Sequence, residues 1–123
     1  MPERLCLKIA LCQINTTVGD FNGNVEKILA SLQKAKADGC ALALFPELTL
    51  TGYPPRDLLD RSSFLEEAQK ALETIAQGAR GIALVVGTIQ KNKSSGNGLF
   101  NSAVVVKDGQ ILYTVHKDRK SVV

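Results

Sequence analysis

The sequence predicts an α/β domain built on a mixed sheet, and three observations carry that expectation. Short apolar, β-branched runs alternate with stretches whose apolar residues recur at helical spacing, in the order strand, helix, strand, helix, strand. Two further runs are separated only by Lys107-Asp108-Gly109-Gln110, where Asp-Gly supplies the positive φ of a tight turn and so makes a hairpin. The first three strands need helical crossovers, whereas the last two do not, so parallel and antiparallel pairing should share one sheet. Finally, the apolar run from Ala41 breaks off at Phe45-Pro46-Glu47, which delivers a carboxylate where the chain leaves the core.

Residues 5–14 read as the first strand. Leu5, Leu7, Ile9 and Leu11 alternate on one face, and Ala10 and Cys12 leave the other only mildly polar, which suits the middle of a covered sheet. Gly19-Asp20 signals a turn. Val25, Ile28, Leu29, Leu32 and Ala35 then form a helical stripe, with Gly39 as its stop and either Asp20 or Asn22 as its cap. The second strand covers 40–45 and runs into Glu47. Gly52-Tyr53-Pro54-Pro55 reverses the chain and opens a short acidic-apolar helix. Ser63 and Glu66 have the spacing of a capping box, and Phe64, Leu65, Ala68, Leu72 and Ile75 make the apolar face of the next helix. The third strand is 82–89, IALVVGTI. Residues 91–98 form a polar loop, and 99–106 with 111–116 form the hairpin.

Composition narrows the function classes. A chain of 123 residues, 45% hydrophobic and 22% charged, has the make-up of one globular domain rather than of a disordered segment. Its formal charge of +3 is small and its bases are interleaved with acids, so no nucleic-acid footprint stands out. No apolar run reaches the roughly 18–20 residues of a membrane span, and the charged start is unlike a secretory leader, which places the expectation in the cytoplasm. Cys6, Cys12 and Cys40 are odd in number and lack CxxC spacing, so they read as reduced, buried small hydrophobes rather than as a disulfide framework or a zinc site.

Open α/β folds keep their chemistry at strand ends, which makes Glu47 the first functional candidate. Partial desolvation at such an end suits a carboxylate to accepting a proton; the plain alternative is a turn residue in solvent. Tyr53 by itself reads as a turn aromatic packed on the sheet with its hydroxyl in water. His116, the single histidine, reads as a polar residue at a strand end.

The motifs KIALCQIN, VGDFNGNVEKIL, FPELTLTGYPPRDLL, VVGT, LFNSAVVVKDGQIL and the ending HK occur in the order found in the carbon-nitrogen hydrolase (nitrilase) superfamily, which residues 5–117 resemble. The extension of FPE to LTGYPPRDLL is similar to the branch that forms the N-terminal glutaminase domains of glutamine-dependent NAD+ synthetases. That resemblance implies the N-terminal part of an αββα nitrilase-type sandwich. It implies a Glu-Lys-Cys triad in which Glu47 is the general base, Lys117 stabilises the oxyanion and Tyr53 lies near the glutamine pocket. It implies glutamine as substrate, ammonia passed to a C-terminal synthetase domain outside this segment, ATP and Mg2+ used by that domain and no cofactor here, and a homo-oligomer in the full-length protein. A stand-alone amidase for another small amide, or a non-catalytic module of the same fold, are the alternatives.

Two departures matter. The family's nucleophile stands in a later CED-like context, and Cys6, Cys12 and Cys40 precede the lysine, so none of them carries over. Past Lys117 the family continues with a segment like QLLPNY, whereas residues 118–123 read DRKSVV. Those six residues and a stop are what GATCGGAAGAGCGTCGTGTAG encodes, a string matching a common sequencing adapter, so 118–123 are expected to be a non-native tail.

Overall fold

A computed structural model of the chain describes residues 6–53, 56–59, 61–91 and 99–117. The expected start of the first strand at Leu5, the turn prolines Pro54 and Pro55, most of the polar loop and the tail therefore lie outside the described residues. The elements are β1 (Ile9–Leu11), α1 (Phe21–Ala37), β2 (Leu42–Leu44), α2 (Arg56–Leu59), α3 (Ser62–Gly78), β3 (Ala83–Lys91), β4 (Leu99–Lys107) and β5 (Gln110–His116). The strands lie in one five-stranded sheet in the order β1-β2-β3-β4-β5. β1, β2 and β3 run parallel, and β4 and β5 are antiparallel to their neighbours. The sheet is mixed, as the element order predicts.

Local chemistry explains where the elements begin and end. Asp20 caps α1, its Oδ1 accepting from the Gly23 N–H at 3.1 Å, which settles the choice between Asp20 and Asn22. At the other end the Cys40 N–H donates to the Ala35 carbonyl and the Gly39 N–H to the Lys36 carbonyl, both at 3.0 Å; this paired closure ends the helix at Gly39 as expected. The capping box at Ser63 is not made. α3 starts one residue earlier, at Ser62, with Arg61 as an N-cap that makes no side-chain bond, so Ser63 already lies inside the first turn. Asp108 and Gly109 take φ of 51° and 82°, the two left-handed residues of a type I′ turn. That turn is also docked on the end of α3, because the Asp108 and Gly109 amides donate to the Ala79 and Ala76 carbonyls at 2.6 and 2.9 Å.

The register sorts the sheet's side chains into two unlike faces. Ala43, Leu84, Val86, Val104 and Val106 point to the helices and are fully buried. They meet Ile28 and Leu32 of α1 and Leu72 and Ile75 of α3, each with no exposed surface, and Phe21 packs edge-on against Phe64 with ring centres 5.2 Å apart. Burial of each such aliphatic side chain contributes about 1.5–3 kcal/mol, so this one layer holds the helices on the sheet. The opposite face carries Ile9, Leu11, Tyr113 and Val115, all exposed, around the half-buried Leu44, Val85 and Val105.

Two expectations change for this reason. β1 is a three-residue strand at the sheet edge rather than a central one, and Leu11 is 76% exposed, because only the helix side of the sheet is covered by the described residues. Cys6 is exposed and Cys12 and Cys40 are only partly buried, all three with free thiols; the sheet edge does not enclose them. Among the described residues no helix is long and apolar enough to cross a membrane.

An apolar sheet face of this extent drives association. The chain on its own is expected to sediment as concentration-dependent oligomers, and Leu11→Lys with Val115→Lys, which leave the helix-side core untouched, should shift it toward monomer. A parent chain that stays monomeric and melts cooperatively at every concentration would contradict this.

Candidate active site

The site begins with a sharp departure of the chain from the sheet. The Phe45 N–H still donates to the Val85 carbonyl at 3.0 Å, which extends the β2–β3 pairing one residue past the strand. Pro46 has no N–H to offer and the chain lifts away. A turn over residues 46–49 follows, closed by the Thr49 N–H on the Pro46 carbonyl at 3.3 Å and by the Thr49 hydroxyl on the same oxygen. Leu48 takes φ 55° in this turn, a left-handed conformation that costs an ordinary residue about 1–2 kcal/mol. Burial of its side chain, 2% exposed, offsets the cost. The Leu50 N–H then returns to the sheet at the Gly87 carbonyl, 3.0 Å away.

Gly87 makes this elbow possible. A Cβ at that position would lie 2.4 Å from the Leu48 nitrogen and 3.0 Å from the Pro46 oxygen, so only a residue without a side chain lets the backbone pass. The far side is held by Asn24, which is fully buried on α1. Its amide donates to the Leu50 and Thr17 carbonyls at 2.9 and 2.8 Å and accepts from the Thr17 N–H at 2.9 Å. The elbow is thereby tied to the first helix and to the loop that follows β1.

Glu47 is set by this elbow above the open face of the sheet. Its Oε1 accepts from Asn101 Nδ2 at 2.7 Å and lies 3.4 Å from Lys117 Nζ. Lys117 reaches that position because its N–H donates to the Asn101 carbonyl at 2.8 Å, continuing the β4–β5 ladder one residue beyond β5. The three residues border a cleft of about 330 Å³ whose other walls include Phe45, Val85 and Val115. Hollows of about 660 and 630 Å³ occur between α1 and α3 and beside His116, but the one ion pair among the described residues lies in the smaller cleft.

The two sequence candidates Glu47 and Lys117 are brought together; Tyr53 is not. It is 69% exposed on the turn after the elbow and does not border the cleft. The partial desolvation expected of Glu47 is not supplied by the described residues, since its side chain is 56% exposed and that of Lys117 52%. The reason is the open outer face of the sheet. Asn101 is the residue that sequence reasoning missed. The available signal was a carboxamide inside strand β4, LFNSAVVVK, since Asn is depleted in strands.

Chemically, a carboxylate beside an ammonium on apolar walls can take up a proton and stabilise a developing oxyanion. It cannot attack a carbonyl without a nucleophile, and no cysteine borders the cleft. Cys12 and Cys40 pack on the helix side of the sheet, against the core. Burial first, and the neighbouring Cys40 second, push the Cys12 thiol above its ordinary range, which disfavours the reactive thiolate. His116 turns to the helix side as well, its Nδ1 2.7 Å from the Ser102 hydroxyl and its ring stacked on Phe100 at 4.1 Å.

Comparison with known proteins gives a consistent result. The carbon-nitrogen hydrolase family matches residues 8–122. A glutamine-dependent NAD(+) synthetase from Thermotoga maritima is 43% identical over 113 residues, which are 90% of this chain and 19% of that protein. The solved structure of a glutamine-dependent NAD+ synthetase from Acinetobacter baumannii, in complex with ADP, superposes with a TM-score of 0.83 at 33% identity, covering 92% of this chain and 21% of the other. An amidase from Nesterenkonia sp. superposes with a TM-score of 0.74 at 26% identity, covering 92% and 43%. The chain thus spans about a fifth of the length of the synthetases it resembles.

Gly87→Ala is expected to destabilise the chain by about 1–3 kcal/mol, the usual penalty for forcing atoms into filled space. It should also move the Leu48 amide resonance and weaken the Asn101–Glu47 bond. Urea unfolding in dilute solution with an amide NMR spectrum checks this, and an unchanged midpoint with an unmoved Leu48 signal would show that the elbow does not rest on Gly87.

Proposed function

Because the chain belongs to the carbon-nitrogen hydrolase family, we propose that it carries the base and the oxyanion cation of a glutamine-hydrolysing domain, in an enzyme that passes the released ammonia to a synthetase domain amidating deamido-NAD+ to NAD+. The observation that carries the reading is the meeting of Glu47 and Lys117, 70 positions apart in sequence, over one cleft. Names of relatives at 43% identity support the choice of glutamine and NAD+.

In this reading a cysteine outside the segment supplies the nucleophile. Glu47 removes the thiol proton as the sulfur attacks the side-chain amide carbon, and the Lys117 ammonium balances the charge that builds on the carbonyl oxygen. The same proton is then returned to the departing nitrogen, so ammonia leaves and a thioester remains. Water, activated by Glu47, cleaves the thioester to glutamate and restores the thiol. Tyr53 keeps the substrate-side assignment that the resemblance implies, from the turn after the elbow and outside the cleft bordered by Glu47 and Lys117. Among the described residues no three His, Cys, Asp or Glu side chains gather to hold a metal ion. By the family resemblance we assign ATP and Mg2+ to the synthetase domain, and no step here passes through them. A cytoplasmic setting and a homo-oligomeric full-length enzyme complete the proposal.

A second reading, a stand-alone amidase for another small amide, is favoured by the likeness to the Nesterenkonia amidase. The complete gene distinguishes the two, since only a synthetase would encode an ATP-using domain with its phosphate-binding loop.

Glu47→Gln in the intact enzyme is expected to lower glutamine-driven NAD+ synthesis by at least ~100-fold, the usual scale for losing a general base, while synthesis from free ammonia stays near parent level. Lys117→Met should behave alike. Loss of both activities together would count against the assigned roles.

A further inference from the structure

Asn101 joins the two functional side chains in a way that the sequence motifs do not announce. Its side-chain amide holds Glu47 Oε1 at 2.7 Å, and its main-chain carbonyl holds the Lys117 N–H at 2.8 Å. One residue of β4 therefore sets both the carboxylate and the backbone from which the ammonium springs. The two contacts to Glu47 are unequal. The Asn101 bond is short, as expected for a donor on an ionised acceptor, whereas the Lys117 contact of 3.4 Å is loose and both of its groups are half exposed. Exposed ion pairs of that kind orient little. Asn101, not Lys117, fixes the carboxylate.

Both donors also converge on the same oxygen. Among the described residues Glu47 Oε2 accepts no hydrogen bond, although a carboxylate offers about four acceptor positions over its two oxygens. We infer that Asn101 is a positioning residue that commits Oε1 to structure, leaving Oε2 as the oxygen that exchanges a proton with the thiol, and that by holding Glu47 itself it lets the loosely paired Lys117 ammonium turn its remaining donors to the substrate oxygen. The surroundings fit this role. Ala103 and Val105, next on the same face of β4, are apolar, so the carboxamide at 101 is the polar exception in that row. This inference rests on the base role proposed for Glu47.

The test uses the intact enzyme with Asn101→Ala, which removes the donor, and the near-isosteric Asn101→Asp, which sets an acceptor against Oε1. Loss of one hydrogen bond to a charged group corresponds to roughly 10- to 100-fold. Glutamine-driven kcat should fall by that factor in both variants, with KM for glutamine within about threefold of parent and ammonia-driven synthesis unchanged. In a Glu47→Gln background, Asn101→Asp should cause no further loss, because the group it positions is already absent. The inference is overturned if kcat is retained in both variants, if KM rather than kcat carries the loss, if ammonia-driven synthesis falls in step, or if the losses simply add. Failure of the underlying reading looks different: Glu47→Gln would itself leave glutamine hydrolysis intact.

Discussion

Everything about this site depends on the contact between the backbone of residues 46–48 and the bare α-carbon of Gly87. Every other residue of strand β3 carries a side chain, and even a methyl group at position 87 would hold the departing chain off the sheet. With glycine there, the elbow settles close enough for the Leu50 amide to rejoin the Gly87 carbonyl. Leu48 pays for its left-handed backbone through burial, and Asn24 closes the loop from the helix side. Glu47 is the residue that this geometry leaves pointing away from the core. Its position is a consequence of packing on all sides of it.

The sheet is asymmetric, and the asymmetry decides the electrostatics. On the helix side the strands bury aliphatic side chains completely. On the other side the described residues leave a wide apolar surface, in which Glu47, Asn101 and Lys117 form a small polar group. Ion pairs in such half-solvated settings are weakly held, because water competes for both charges. A covering layer would exclude that water and strengthen each contact. The αββα architecture expected from the family places a second sheet on this face, and so makes the strength of the site depend on chain outside the described residues.

Much of the fold was legible in the sequence. The helical stripe Val25, Ile28, Leu32 and Ala35 is buried as its spacing requires, the Asp-Gly turn takes its two positive φ angles, and Phe45-Pro46-Glu47 ends a strand. Other readings failed for identifiable reasons. An apolar alternation such as Leu7, Ile9 and Leu11 says that a strand is suited to cover, but not that cover is present, and β1 lies at an edge. Ser63 and Glu66 matched a capping pattern, yet the α3 backbone started at Ser62. The family resemblance named Glu47 and Lys117 and passed over Asn101, whose side chain matters through a neighbour 54 positions away.

Sequence alone determined the kinds of element, most of their limits and the delivery of a carboxylate at the end of β2, because periodicity and turn chemistry act over a few neighbouring residues. Tertiary structure alone decided that Asn101 holds Glu47, that both donors meet on Oε1, and that β1 is an edge. These facts follow from strand order and register, which bring together residues 54 and 70 positions apart, and no local pattern of side chains encodes which distant backbone will lie alongside.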